Sequence, residues 1–349
     1  MLLFTTQQLL QEIAQVQDQL FQGSRALGRL PLASGVTPYE VVYQEDKLRL
    51  LYYRPATITA SVPLLMVYAL VNRPYMTDLQ QGRSLIQGLL GQGQEVYLID
   101  WGYPDQLDRY LTLDDYINGY LQRCVKQVLK RHALNQLNLL GICQGGVLSL
   151  CYSALHQDQV KNLITMVTPV DFHTVDNQLS HWVRKIDIDL LVDTLGNVPG
   201  IVLNGVFARL KPYQLQHQKY FNMIQSLDKP SALASFVLME QWINDSPDQA
   251  GEVFRQFVKL FFQENQLVVG EALIGKQQVD LSKLTMPLLN IYATEDHIVP
   301  PSATRPLGQL VGSRDYQELS FNGGHIGIYV SAKAQAQIPK AITNWLSVH

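Results

Sequence analysis

Five short, mainly apolar runs constrain the fold of this chain more than any other feature. Each run is bounded by Gly, Pro or Asp, and helical patterns lie between several of them. Such runs are typical of strands that are buried on both faces of a parallel sheet. The pattern therefore predicts an α/β fold with a doubly wound, mostly parallel sheet. The runs are 64–70, 96–99, 137–140, 163–167 and 288–292.

The clearest helical pattern between these runs covers residues 113–131. Its apolar residues recur at three- and four-residue spacing, which places them on one face of a helix. Thr112 and Asp115 have the spacing of a capping box, so they predict where this helix begins. The residues of the apolar face are Tyr116, Ile117, Tyr120, Leu121, Cys124, Val125 and Val128.

The sequence Gly-Ile-Cys-Gln-Gly-Gly at 141–146 joins the third apolar run to a helical pattern. This arrangement matches the nucleophile elbow of α/β-hydrolases, with Cys143 in the place of Ser. The glycines allow close approach of strand and helix, and the helix N-terminus favours a thiolate. We expect the backbone N–H groups of Gln144 and Val71 to be the oxyanion donors. A buried structural cysteine is the alternative interpretation of Cys143.

Two later loops contain candidates for the partners of this nucleophile. Asp296 begins the turn after the fifth apolar run, and His325 follows the predicted last strand between glycines. The chain order nucleophile, acid, histidine is that of hydrolase triads, so we predict a triad of Cys143, Asp296 and His325. Glu295 is the alternative acid. His297 is a weaker candidate histidine because its side chain should point away from its neighbour Asp296.

The alternation of strands and helices stops at Pro169 and resumes at Met286. Helical patches and large aromatic residues fill the interval, which predicts a mainly helical cap inserted into an α/β-hydrolase core. A separate second domain is the alternative, but no Gly/Pro/Ser-rich linker marks its borders. We therefore divide the chain into an N-terminal helical segment, 1–40, a core, 41–168 and 284–349, and a cap, 169–283. An apolar stripe within 4–22 either packs on its own domain, which we favour, or docks a partner subunit.

Charge and cysteine content exclude several classes of protein. The 27 basic and 30 acidic residues give a net charge of −3, which excludes a generally cationic nucleic-acid binder. Three cysteines without Cys-x-x-Cys spacing predict neither a disulfide framework nor a zinc site, and they favour a cytosolic location. Cys124 and Cys151 lie on apolar helical patterns and are predicted core residues. No secretory signal or membrane span is predicted.

A thiol nucleophile favours acyl transfer over simple hydrolysis. Attack of Cys143 on an acyl-CoA exchanges one thioester for another at nearly equal free energy, so the acyl group stays activated. Three hypotheses follow: an acyltransferase, a Cys-nucleophile thioesterase or ester hydrolase, and a non-enzymatic scaffold. The scaffold ranks last because all three predicted triad members are present. No motif identifies CoA contacts, and solvated surface charge is the preferred interpretation of the candidates Arg54, Arg73 and Arg209.

The sequence resembles the poly(3-hydroxyalkanoate) synthases over nearly its whole length. The likeness is greatest to the catalytic subunit of the short two-subunit kind (class III), and class IV is a near alternative. A generic hydrolase would share only the triad loops. The matching segments are Leu70-Val71-Asn72-Arg73-Pro74-Tyr75, Leu98-Ile99-Asp100-Trp101-Gly102-Tyr103-Pro104-Asp105, Gly141-Ile142-Cys143-Gln144-Gly145-Gly146, Thr168-Pro169-Val170-Asp171-Phe172, Asp245-Ser246-Pro247-Asp248, Asp296-His297-Ile298-Val299-Pro300-Pro301 and Gly323-Gly324-His325-Ile326-Gly327-Ile328-Tyr329.

This resemblance implies that Cys143 carries the growing chain as a thioester and that His325 is the general base. Asp296 either orients His325 or helps to deprotonate the 3-hydroxyl of the incoming unit. The implied reaction joins (R)-3-hydroxyacyl-CoA, typically 3-hydroxybutyryl-CoA, into a polyester and releases CoA. Because CoA belongs to the substrate, no separate cofactor or metal is expected. The resemblance further implies a homodimer with a second, PhaE-type subunit at the surface of cytoplasmic polymer granules.

Overall fold

The computed structural model describes residues 35–210 and 230–349. The predicted helix within 4–22 lies outside the described residues, so its packing and its docking role stay predictions. Twelve strands are present in the described residues: β1 (Glu40–Glu45), β2 (Leu48–Tyr53), β3 (Leu64–Val67), β4 (Asp78–Gln80), β5 (Arg83–Ser84), β6 (Val96–Asp100), β7 (Leu137–Ile142), β8 (Val160–Met166), β9 (Leu273–Ile274), β10 (Gln277–Gln278), β11 (Leu288–Ala293) and β12 (Tyr316–Phe321).

Eight of these strands form one sheet in the order β1-β2-β6-β3-β7-β8-β11-β12. The six strands from β6 to β12 in that order pair in parallel, which confirms the prediction from the apolar runs. β2 pairs antiparallel with β1 and with β6. The sequence pattern does not predict this edge hairpin, because β1 is largely exposed and carries no apolar run.

Both faces of the central strands are buried, as the apolar runs predict. In β7, Leu137 and Leu139 belong to one hydrophobic cluster, whereas Leu140 and Ile142 belong to a second cluster on the other face. Successive side chains of a strand point to opposite faces, so a run buried on both sides is mainly apolar. The sheet is therefore the middle layer of the core.

Helices cover these two faces and are also present in the described part of the predicted cap. The predicted helix at 113–131 begins with reciprocal hydrogen bonds between Thr112 and Asp115, continues as a π-helical stretch over Asp115–Leu121, and then becomes α-helical. The α-helices are α1 (Leu85–Leu90), α2 (Gln122–His132), α3 (Gln144–Leu155), α4 (Gln178–Val183), α5 (Ile188–Leu195), α6 (Gly200–Leu210), α7 (Pro230–Asn244), α8 (Gly251–Phe257), α9 (Gln266–Val269), α10 (Pro301–Thr304), α11 (Leu307–Leu310), α12 (Gly327–Val330) and α13 (Ala332–Val348).

Helices α4 to α9 lie within the segment 169–283, together with the short ribbon β9–β10. In the described part of this segment no strand joins the eight-stranded sheet. Leu238 and Trp242 of α7 belong to the same hydrophobic cluster as the core strands. The segment thus packs directly on the core near the ends of the parallel strands, and its boundaries as a cap stay a prediction.

Across residues 35–210 and 230–349, none of the helices has both the length and the apolar character that crossing a membrane requires. The same residues contain no cluster of three or more His, Cys, Asp or Glu side chains suited to hold a metal ion.

Candidate active site

Cys143 occupies the sharp turn between β7 and α3. Its backbone has φ 54° and ψ −121°, a conformation that non-glycine residues rarely adopt. The Cys143 N–H donates to the carbonyl of Met166 on β8 at 2.9 Å, and the Cys143 carbonyl accepts from Gly146 at 2.9 Å. Strain of this kind persists where the surrounding structure holds it, and it is the defining geometry of a nucleophile elbow.

The turn at Cys143 leaves no room for side chains at the neighbouring positions 141 and 145, and glycine occupies both of them. A Cβ on Gly145 would lie 2.6 Å from the carbonyl oxygen of Tyr68, which is backbone and cannot rotate away. A Cβ on Gly141 would lie 2.5 Å from the Cα of Gly146. The start of α3 is therefore pressed against both β7 and the segment after β3, as the elbow motif predicts.

His325 and Asp296 come from neighbouring loops that follow β12 and β11. The Glu295 N–H donates to the carbonyl of Gly323 at 2.9 Å, which ties the two loops together. His325 Nδ1 donates to Asp296 Oδ2 at 2.6 Å, and both side chains are buried. The other carboxylate oxygen, Oδ1, accepts the N–H groups of Ile298 and Val299. The carboxylate is thus held on both sides and orients the imidazole.

The side chain of Cys143 lies close enough to the His325 ring to influence its protonation. Because Nδ1 is bound to Asp296, Nε2 is the ring nitrogen that remains available to Cys143. Burial lowers the pKa of His325, but the charges of Asp296 and Cys143 outweigh it and raise this pKa from 6.5 to about 10. The site therefore favours the protonated, imidazolium form of His325.

The structure thus brings together the three residues predicted as a triad. Glu295, the alternative acid, is exposed, whereas Asp296 is buried against His325. His297 is half-buried, and it is His325 rather than His297 that pairs with the Asp296 carboxylate.

The loop after β3, residues 70–73, lies next to the elbow and contains the predicted oxyanion donor Val71. The Leu70 N–H donates to the side-chain oxygen of Gln144 at 3.0 Å, so the two predicted donor segments are linked. Val71 and Cys143 pack against the same hydrophobic cluster. As the first residue of α3, Gln144 has a backbone N–H without an intrahelical acceptor. The placement is compatible with the predicted donors, whose role stays a prediction.

Arg73, at the end of this loop, corrects one sequence-based interpretation. It is 7% exposed, and its guanidinium binds the Asp100 carboxylate and the carbonyl of Gly102 at 2.8–2.9 Å. The preferred interpretation as a solvated surface charge is therefore wrong for Arg73, because the ion pair with buried Asp100 compensates its desolvation. Arg54 and Arg209 are exposed, as predicted.

Two tyrosines near the nucleophile carry no signal in the sequence. The hydroxyl groups of Tyr68 and Tyr329 lie 3.3 Å apart and both side chains are buried. Burial raises the pKa of each phenol, and the charge of Cys143 raises it further. Tyr68 lies within an apolar run and Tyr329 lies on α12, so only the tertiary fold brings them together.

The other two cysteines are core residues, as predicted. Cys124 and Cys151 are fully buried, and burial raises the pKa of both thiols, that of Cys151 to about 12. Neither is available as a thiolate at neutral pH. Cys143, by contrast, is partly exposed.

Comparison with known proteins identifies the fold. A family model of the alpha/beta hydrolase fold matches residues 62–332, and a model of the N-terminus of poly-beta-hydroxybutyrate polymerase (PhaC) matches residues 2–89. Among solved structures, the monoacylglycerol lipase of Paleococcus ferrophilus aligns with a TM-score of 0.53 and 16% identity over 85% of this chain and 98% of the lipase. At that identity the likeness concerns the fold alone.

Curated relatives are much closer in sequence. The chain is 58% identical to the poly(3-hydroxyalkanoate) polymerase subunit PhaC of Allochromatium vinosum, and the match covers 97% of each chain. It is 51% identical to the subunit of the same name from Synechocystis sp., over 90% of this chain and 85% of the relative. On the fold, the cysteine elbow and these matches, the chain belongs to the PhaC family of poly(3-hydroxyalkanoate) polymerases, acyltransferases built on the α/β-hydrolase fold.

Proposed function

We propose that this chain polymerises (R)-3-hydroxyacyl-CoA, with 3-hydroxybutyryl-CoA as the expected substrate, through an acyl thioester on Cys143. The observation that carries the proposal is the continuous contact from Asp296 through His325 to Cys143 at a strained elbow. Family membership supports the polymer product, and the three side chains supply the chemistry. The CoA is released as the leaving group, so the proposed reaction needs no further cofactor.

In the first half-reaction the Cys143 sulfur attacks the acyl carbonyl of the substrate. A tetrahedral oxyanion forms, and the N–H groups of Gln144 and Val71 are the proposed donors to it. The carbon–sulfur bond to CoA then breaks, and His325 gives its proton to the departing CoA thiolate. One thioester replaces another, so little free energy is lost and the acyl group remains activated.

In the second half-reaction the 3-hydroxyl group of one acyl unit attacks the thioester carbonyl of another. His325, now neutral, takes the hydroxyl proton, a new ester bond forms, and the thiolate that held the transferred acyl group is released. Both oxygens of Asp296 are engaged, one by His325 and the other by two backbone N–H groups. That engagement favours orientation of His325 over direct deprotonation of the hydroxyl as the role of Asp296.

The proposal also covers the subunit partners and the location of the enzyme. We expect a homodimer that works with a second, PhaE-type subunit at the surface of cytoplasmic granules, on the basis of family resemblance. Co-purification of tagged chain with a candidate second subunit, followed by size-exclusion chromatography with light scattering, tests both associations. Recovery of a monomer that polymerises at full rate would contradict the proposed associations.

The decisive test replaces the nucleophile. Cys143→Ala should lower CoA release from 3-hydroxybutyryl-CoA by at least about 10³-fold and abolish the acyl-enzyme mass adduct. Cys151→Ala is the matched control, since this thiol is buried and should leave the rate within a few-fold. CoA release at the wild-type rate by Cys143→Ala would refute the proposal. Free hydroxy acid in place of polymer from the unmodified chain would instead select a thioesterase.

A further inference from the structure

The cap and the loop after β3 are joined by several hydrogen bonds between residues 242–249 and residues 70–73. The Trp242 indole N–H donates to the carbonyl of Arg73 at 2.7 Å. The Asn72 side-chain amide donates to the Ser246 hydroxyl. The Gln249 side-chain amide donates to the carbonyl of Leu70 at 2.9 Å. This part of the cap thus contacts the backbone of the loop that contains Val71.

The bond from Gln249 matters because of the peptide group that it holds. The carbonyl of Leu70 and the N–H of Val71 belong to the same planar peptide unit, in which C=O and N–H point in opposite directions. When Gln249 Nε2 holds this carbonyl, the Val71 N–H must point away from Gln249. The Leu70 N–H is held separately by Gln144 Oε1. Two glutamine side chains therefore fix successive peptide units next to Cys143.

Gln249 is itself held rigidly. It is 2% exposed, and its own backbone N–H and carbonyl pair with Val198 at 2.9 Å. Among the described residues its side-chain oxygen has no hydrogen-bond partner. A buried polar atom without a partner costs free energy, and a core position would be cheaper to fill with an apolar side chain. The retained amide is explained if its N–H group has a positioning task.

We infer that Gln249 is a positioning residue that orients the Val71 N–H as an oxyanion donor, and so couples the cap to the catalytic elbow. The inference rests on the proposed function, since it takes Val71 as an oxyanion donor. Asn72, the next residue, has a left-handed φ of 62°, so the loop has a specific backbone conformation to maintain. Movement of residues 242–249 away from the core would release this peptide unit.

The test is Gln249→Leu in the full chain, which keeps the volume but removes the donor. We expect kcat for CoA release from 3-hydroxybutyryl-CoA to fall about ten- to a hundredfold, with KM changed less than threefold, because the oxyanion exists only in the transition state. Alkylation of Cys143 by iodoacetamide has no such oxyanion, so its rate should stay within twofold of wild type.

Gln256→Leu is the matched control. Gln256 also joins the cap to the core, by accepting the Leu113 N–H at 2.9 Å, and its side-chain amide donates to Glu252 rather than to the loop after β3. This variant should keep kcat within twofold. A wild-type kcat in Gln249→Leu, or an equal loss in both variants, would overturn the inference.

Gln249→Glu provides a second test, which stays informative even if the chain does not fold with leucine at position 249. The ionised carboxylate cannot donate to the Leu70 carbonyl, whereas the protonated acid can, and burial raises the pKa of a carboxyl group. Activity relative to wild type should therefore rise as pH falls from 8 to 6, and a constant ratio would contradict the inference.

Cys143→Ala measured beside these variants separates the two proposals: an inactive Cys143→Ala with a fully active Gln249→Leu refutes the positioning role alone.

Discussion

Replacement of Asp296 by Asn tests how His325 is held, because it removes the charge and retains the shape. The remaining side-chain oxygen can still accept the N–H groups of Ile298 and Val299. The new amide nitrogen then faces His325 Nδ1, which lies 2.6 Å from the native carboxylate. An amide N–H donates, so Nδ1 must become an acceptor and the ring proton moves to Nε2. That nitrogen faces Cys143 and can no longer take the thiol proton.

The size of the effect follows from the pKa of His325, which the site raises from 6.5 to about 10. At about 1.4 kcal/mol per pKa unit, the folded protein favours the imidazolium by about 5 kcal/mol relative to water. Burial acts in the opposite direction, so in Asp296→Asn we expect the pKa of His325 to fall well below its native value. Loss of general acid–base catalysis should lower kcat for CoA release by about 10²–10⁴-fold.

The same shift predicts a dependence of stability on pH. Because the pKa of His325 is higher in the folded than in the unfolded chain, its stabilising contribution is complete below about pH 6.5. The contribution is lost as pH rises through about 10. Urea unfolding of wild type and Asp296→Asn should therefore differ most at pH 6, and the difference should narrow by pH 10.

Glu295→Gln is the matched control for this experiment. Glu295 is the exposed neighbour of Asp296, and surface substitutions of this kind change the free energy of unfolding by less than about 0.5 kcal/mol. Its kcat should match wild type. A near-normal rate in Asp296→Asn, or a large loss in Glu295→Gln, would refute the assignment of the acid.

Two further predictions concern the elbow and the cysteines. Gly145→Ala should lower the free energy of unfolding by about 1–3 kcal/mol or more, because the new methyl group meets the backbone of Tyr68 at 2.6 Å. Gly205→Ala is the control, because the nearest neighbour atom of its new methyl group lies 4.0 Å away. Thermal unfolding should show that this control variant is as stable as wild type or more stable. Brief iodoacetamide treatment of the native chain at pH 8 should label Cys143 and leave the two buried thiols unmodified until urea is added, as peptide mass spectrometry will show. A stable Gly145→Ala, or equal labelling of all three cysteines in the folded chain, would contradict the packing described above.

Much of the core was predictable because its signals are local. Each of the five apolar runs overlaps one strand of the parallel sheet, since burial on both faces favours apolar residues at most positions. The edge hairpin β1–β2 was not predicted; its outer strand β1 is exposed, and an exposed edge strand has no such requirement. The sequence likewise indicated Cys143, Asp296 and His325, because an elbow motif and two strand-end loops have recognisable residues in a fixed chain order.

The residues that surround this site depended on tertiary structure. Arg73 is buried rather than solvated because Asp100, 27 positions away, meets it across the fold. Tyr68 and Tyr329 pair across 261 positions, and Gln249 reaches Leu70 across 179. No motif or periodic pattern records such a pairing, since it joins two segments that are far apart in the chain.

The amino-acid sequence by itself determined the α/β class, the cysteine elbow and the order of its partners, because strand burial and tight turns restrict residue types locally. The three-dimensional packing decided which acid faces the histidine, how far the imidazole pKa is raised, and which cap residues hold the loop at Leu70. These properties depend on the distances between segments that are far apart in the chain and on the burial of their side chains. Such distances and burial arise only when the chain folds.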